Sequence, residues 1–86
     1  METGQVVYSK AGRDKNKAFI IVKSEGEYVF LADGKLRLLE KPKKKKIKHI
    51  QPTNTIINDI KYKLDNKQYL NDAELRKALL PYDLNR

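Results

Sequence analysis

Eighty-six residues, 40% hydrophobic and 35% charged, make one small, strongly hydrated domain with a modest core. The lack of cysteine removes disulfides and thiolate metal sites and fits the cytosol; no apolar run nears the roughly 20 residues of a membrane span, and METGQVV has no signal-peptide anatomy. The formal charge of +8 is concentrated: residues 35–50 hold eight Lys or Arg against one acid, Glu40, between flanks that are nearly balanced.

GQVVYS, KAFIIVK, YVFLA, KLRLL and KIKHI are short β-branched or aromatic runs that predict five strands within the first 50 residues. Turn signals separate the first four: Ala11-Gly12-Arg13-Asp14, Ser24-Glu25-Gly26-Glu27 and Ala32-Asp33-Gly34-Lys35. Asp33-Gly34 between apolar runs predicts a type I′ hairpin. Leu36-Arg37-Leu38 alternates, as a strand with one buried and one wet face does, and Val29, Leu31, Leu36 and Leu38 are expected in the core. FIIV and YVFL do not alternate cleanly, as expected where both faces are partly covered. Ile47 and Ile50, three apart, cannot share a face of a regular strand, so a bulge or strand end is expected between them. Five short strands predict a small, twisted barrel, closed to remove its edges.

After Pro52 the pattern changes. Ile56, Ile57, Ile60 and Leu64 recur at helical spacing, with Asn54 or Thr55 as N-cap and an i,i+4 pair of Asp59 with Lys63. Asp65-Asn66-Lys67 reads as a break. Asn71 and Glu74 form the capping box of a second short helix, which is expected to stop by Leu80, before Pro81. The predicted organisation is a barrel over residues 1–52 and a short helical extension, of one or two helices, over 53–86. Tyr62, Tyr69 and Tyr82 are expected to fasten the helices down, with a protein-docking face as the alternative.

Residues 4–22, GQVVYSKAGRDKNKAFIIV, resemble the KOW motif: Gly4, then Val6 and Val7, then Ala11-Gly12, then Lys15 and the apolar return Phe19 to Val22. The continuation YVFLADGKLRLLEKPKKKKIKHIQPTN extends the similarity to about residue 54. The whole resembles small bacterial KOW-domain RNA-binding proteins related to a large-subunit ribosomal protein group of archaea and eukaryotes. The resemblance implies a mainly β, SH3-like barrel whose motif loop and basic segment touch ribosomal RNA. Asn16 stands where the family pattern commonly has glycine; asparagine tolerates left-handed φ better than other non-glycine residues, so the turn survives.

A lysine run on a loop is by default a solvated surface, an import-like tract or a membrane tether. This run lies between two predicted strands, so its like charges are held together on a scaffold, and a polyanion is the partner that relieves their repulsion. The expected RNA contacts are Lys10, Arg13, Lys15, Asn16 and Lys17 around the first turn. Lys35, Arg37, Lys41, Lys43, Lys44, Lys45, Lys46, Lys48 and His49 continue them along the basic segment. Tyr8, Tyr28 and Phe30 are read first as core or half-core, with Tyr8, beside the basic turn, the best placed to stack on an unpaired base. His49 has no metal-ligating company, and no cofactor is expected. No paired carboxylates, phosphate-binding glycine loop or activated nucleophile is legible. The sequence therefore predicts a non-enzymatic RNA-binding protein, not associated with membrane, that reads RNA shape and 2′-OH groups; its association with ribosomal RNA or the ribosome is what the resemblance implies. The rival readings are a protein-interaction SH3-like module and a binder of DNA or a transcription complex.

Overall fold

The computed structural model describes residues 1–83; the last three positions of the expected 53–86 extension lie outside the described residues. Five strands form one antiparallel sheet: β1 (Gln5–Ser9), β2 (Ala18–Glu25), β3 (Tyr28–Ala32), β4 (Lys43–Lys46) and β5 (Ile50–Ile56), in the order β4-β3-β2-β1-β5. Two helices follow, α1 (Asn58–Asp65) and α2 (Asp72–Asp83). The fold is thus mainly β with two short C-terminal helices. Among the described residues, no helix is long and apolar enough to cross a membrane.

The barrel is curled but not closed. β4 and β5 are the two edges and do not pair with each other, because the 3-10 turn Ile47–His49 redirects the chain between them. That turn is the strand end expected between Ile47 and Ile50. A backbone bond from Lys10 N to His49 O, 2.8 Å, continues the β1–β5 pairing into that turn.

Adjacent residues of a strand point to opposite faces, and here both faces are buried in the middle of the sheet. Val7, Phe19, Ile21, Val29, Leu31 and Ile50 pack on one face, around which the sheet curls. Val6, Ala18, Ile20 and Ala32 face the other way and are covered by Ile60 of α1 and by Leu75 and Leu79 of α2. Two-sided burial explains why FIIV fails to alternate. It also puts the helices and the sheet in one shared core.

Several expected elements are displaced. KLRLL is not a strand. The chain instead folds around Asp33, whose Oδ1 accepts from Lys35 N and Arg37 N at 2.9 Å each, leaving Leu36 61% exposed. Asp33 and Gly34 do not form a type I′ hairpin, since only Gly34 has positive φ. The loop is held down by α2: Leu39 N donates to Asp72 Oδ1 at 2.8 Å, and Arg76 Nη1 donates to Gly34 O at 2.7 Å.

The fourth strand is the lysine run itself, and the fifth continues through Pro52, opposite Val7. β5 is an edge strand, where a residue without an N–H is tolerated. Asn54 and Thr55 therefore sit in β5, and α1 begins after Ile57 with no side-chain cap. Asp59 does not pair with Lys63. Lys63 reaches across to Glu74 of α2, and the i,i+4 pair of α1 is Lys61 with Asp65, 3.1 Å.

The break at Asn66-Lys67 and the capping box of α2 are as expected. Asn71 N donates to Glu74 Oε2, and Glu74 N donates to Asn71 Oδ1, each at 3.0 Å. The helix does not stop at Leu80 but carries Pro81 in its last turn and runs to Asp83. Proline has no N–H to give the Lys77 carbonyl one turn before it, a loss better tolerated toward the end of a helix than in its middle. Tyr82 packs against the core, whereas Tyr62 and Tyr69 are 58% and 80% exposed and do not belong to that core cluster.

Candidate nucleic-acid interface

The loop from β1 to β2, residues 10–17, is a tight assembly of backbone bonds: Lys15 N to Gly12 O, Lys17 N to Asp14 O and Asn16 N to Ser9 O. It closes with Asn16 at φ 71°, the left-handed conformation that its side chain tolerates. The loop's one acid is removed from the surface. Asp14 is buried, and its Oδ2 accepts from Arg37 Nη2 at 3.1 Å and Nε at 3.3 Å. Arg37 is therefore spent on Asp14 and is not a free contact for a partner. Lys10, Arg13, Lys15, Asn16 and Lys17 remain exposed around the pair.

β4 is a strand of four lysines because β3 supplies its pairing: Tyr28 opposite Lys46, Val29 opposite Lys45, Phe30 opposite Lys44, Leu31 opposite Lys43. The pleat sends Lys44 and Lys46 to one side and Lys43 and Lys45 to the other. Lys45 is half-buried, and its ammonium donates to Ser9 Oγ at 2.6 Å and to Ala11 O at 2.8 Å. This side chain ties the basic strand to the basic loop, so the Lys43 and Lys45 side of β4 adjoins the β1–β2 loop, while Lys44 and Lys46 project from the opposite face of the same edge strand. Lys45 is held from within, and Lys43, Lys44 and Lys46 are exposed.

The remaining cations fall around this centre. Lys41, Lys43 and Lys44 line a hollow of about 570 Å³ with Arg37, Pro42 and Glu40. Lys46 and Lys48 line another of about 410 Å³ beside the β2–β3 turn at Gly26 and Glu27. His49 is half-buried in the 3-10 turn that contacts Lys10. Lys17 and Lys35 share a smaller hollow with Asp33 and Asp83, where two carboxylates dilute their charge. Among the described residues, the carboxylates that form ion pairs are Glu2, Asp14, Glu25, Asp65 and Glu74. Arg37 is the one member of the expected set that they engage, so the lysines of the patch are not neutralised from within.

Tyr8 is half-buried and packs against the helix-covered core. Tyr28 and Phe30 are half-buried too but do not pack on that core, with the Lys44 ammonium 4.4 Å from the Tyr28 ring centroid and 5.9 Å from that of Phe30. Lys23, outside the expected set, approaches Phe30 to 5.4 Å. The bulge at Val22 brings it there: the β2–β3 register shifts between Ile21 and Lys23, placing Lys23 opposite Phe30. The Tyr-x-Phe spacing carries the only signal of this cluster in the sequence. Bonds from Lys63 and then from Asn71 N hold Glu74 below its ordinary value, and bonds from Thr3 and Lys61 do the same for Asp65.

Among the described residues no group of three or more His, Cys, Asp or Glu could hold a metal. No protein-family model matches the chain, and no curated protein matches it significantly.

Proposed function

We propose that the chain is a non-enzymatic, cytoplasmic RNA-binding module that docks structured RNA, ribosomal RNA being the expected target, through β4 and the β1–β2 loop. The observation that carries this reading is the Lys45 bridge to Ser9 and Ala11, which brings the β1–β2 loop against the edge strand of lysines, none of which forms an ion pair with a carboxylate among the described residues. Such a surface attracts a phosphate backbone by counterion release. Its side chains are suited to phosphates more than to base edges, so recognition rests on RNA shape. The resemblance of residues 4–54 to KOW-domain proteins supports the ribosomal assignment.

The test is a salt titration with a structured RNA. If about five phosphates are engaged, log affinity falls against log salt with a slope of about −4. Replacing Lys43, Lys44 and Lys46 by Gln, with Lys45 left in place, flattens the slope by about 1 for each lysine that touches phosphate. An unchanged slope and affinity would reject the patch as the docking surface. Equal affinity for DNA of the same shape, or partners that survive nuclease treatment of a pull-down, would favour the rival readings.

A further inference from the structure

The helices cover only part of the sheet face on which they pack. Ala32 lies under them, but Phe30 and Tyr28, at alternate positions of the same strand and therefore on the same face, extend beyond their cover. Directly opposite these rings on β4 are Lys44 and Lys46, and on β2 are Lys23 and Glu25. Glu25 is held by Lys23 at 3.2 Å, so the net character of the area is cationic. The result is two half-exposed rings, two residues apart, fringed by ammonium groups and continuous with the basic strand.

We infer that this open half of the sheet is a stacking platform for an unpaired nucleotide, with Tyr28 and Phe30 receiving the base and Lys44 and Lys46 its flanking phosphates. The inference rests on the RNA-binding reading and narrows it: the duplex is held by charge, and a single-stranded segment beside it is held by its bases. In the free protein the Lys44 ammonium occupies the ring faces, a contact worth little at an exposed site. A nucleotide exchanges that contact for two better ones, since the ammonium moves onto phosphate while the base takes the ring. Charge complementarity selects a polyanion, and the ring pair selects one with free π-faces.

Three probes separate the possibilities: a short oligouridylate, an abasic oligomer of the same length and charge, and a duplex hairpin. The protein is expected to bind oligouridylate about tenfold or more tighter than the abasic oligomer. Tyr28→Val with Phe30→Val, which puts β-branched side chains suited to a strand in place of the rings, removes that preference and leaves duplex affinity unchanged. In the unsubstituted chain, the ring protons of Tyr28 and Phe30 shift upfield on addition of oligouridylate but not of the abasic oligomer, a readout that needs no variant. Equal binding of the two single strands, or unmoved ring protons, overturns the platform while leaving duplex docking in place. Failure to bind any of the three probes overturns both readings.

Discussion

Lys45 donates to Ser9 Oγ at 2.6 Å, and Ser9 is almost wholly buried, so one lysine in a run of four belongs to the scaffold. Its neighbours do not. Lys45→Ala leaves the β1–β2 loop without its tie to β4 and lowers unfolding stability by about 1–3 kcal/mol, as expected for hydrogen bonds from a charged donor. Lys46→Ala, two positions beyond the Lys44 that rests on the rings, changes stability by no more than about 0.5 kcal/mol. Urea denaturation of the two variants separates the roles. Equal losses would mean that the bridge contributes nothing.

Arg37 and Asp14 make a second prediction. The Asp14 side chain is only 7% exposed, so Arg37→Ala strands a carboxylate that has lost its partner. The expected loss is about 3 kcal/mol. Asp14→Ala combined with Arg37→Ala costs less than the sum of the separate changes, because the stranded charge is gone. A double-mutant cycle by chemical denaturation that showed simple additivity would contradict a coupled pair.

The Glu74 carboxylate is held below its ordinary value of 4.5 by Lys63 and by Asn71 N. A group depressed on folding adds stability that is complete above its unfolded value and is lost as pH falls through the folded one. Thermal midpoints are therefore expected to hold from neutrality to about pH 5 and then to decline in acid. Glu74→Gln, which keeps a capping-box side chain but no charge, should decline less steeply. Parallel melting curves at several acidic pH values make the comparison.

Gly34 has φ 79°, and a Cβ there would meet the Asp72 carbonyl oxygen well inside contact distance. Gly34→Ala is expected to cost on the order of 2 kcal/mol or more, combining left-handed strain with the clash. The loop over 33–42 and the first turn of α2 are expected to loosen together. Faster amide exchange at Leu39, whose N–H is bound to Asp72, reports it.

What could be read ahead of the structure was local. The β-branched runs of β1, β2 and β3, the Asn71–Glu74 capping box and the left-handed tolerance of Asn16 depend on near neighbours and fell where expected. The lysine strand did not, because lysine has little preference for extended structure and β4 exists through its partner β3. KLRLL mimicked a strand by alternation alone, while its backbone bonds were claimed by Asp33 and Asp72. Pro52 suggested a boundary, and only the edge position of β5 makes it admissible in a strand. At the interface, the concentration of cations was plain in the sequence. Two features were not: which cations are engaged within the protein (Arg37 by Asp14, Lys45 by Ser9) and which aromatics stay open. The second depends on how far two helices reach across a sheet, a tertiary fact with no local signature.

The two outermost strands share a further property. Each margin of the sheet discourages another copy from adding to it, β4 by electrostatic repulsion between lysine rows and β5 by the absent amide proton of Pro52. Abolishing the positive charge of β4 thus does more than weaken a polyanion's hold. It strips one rim of its protection against fibril-like growth, so selection on solubility alone would keep lysines there.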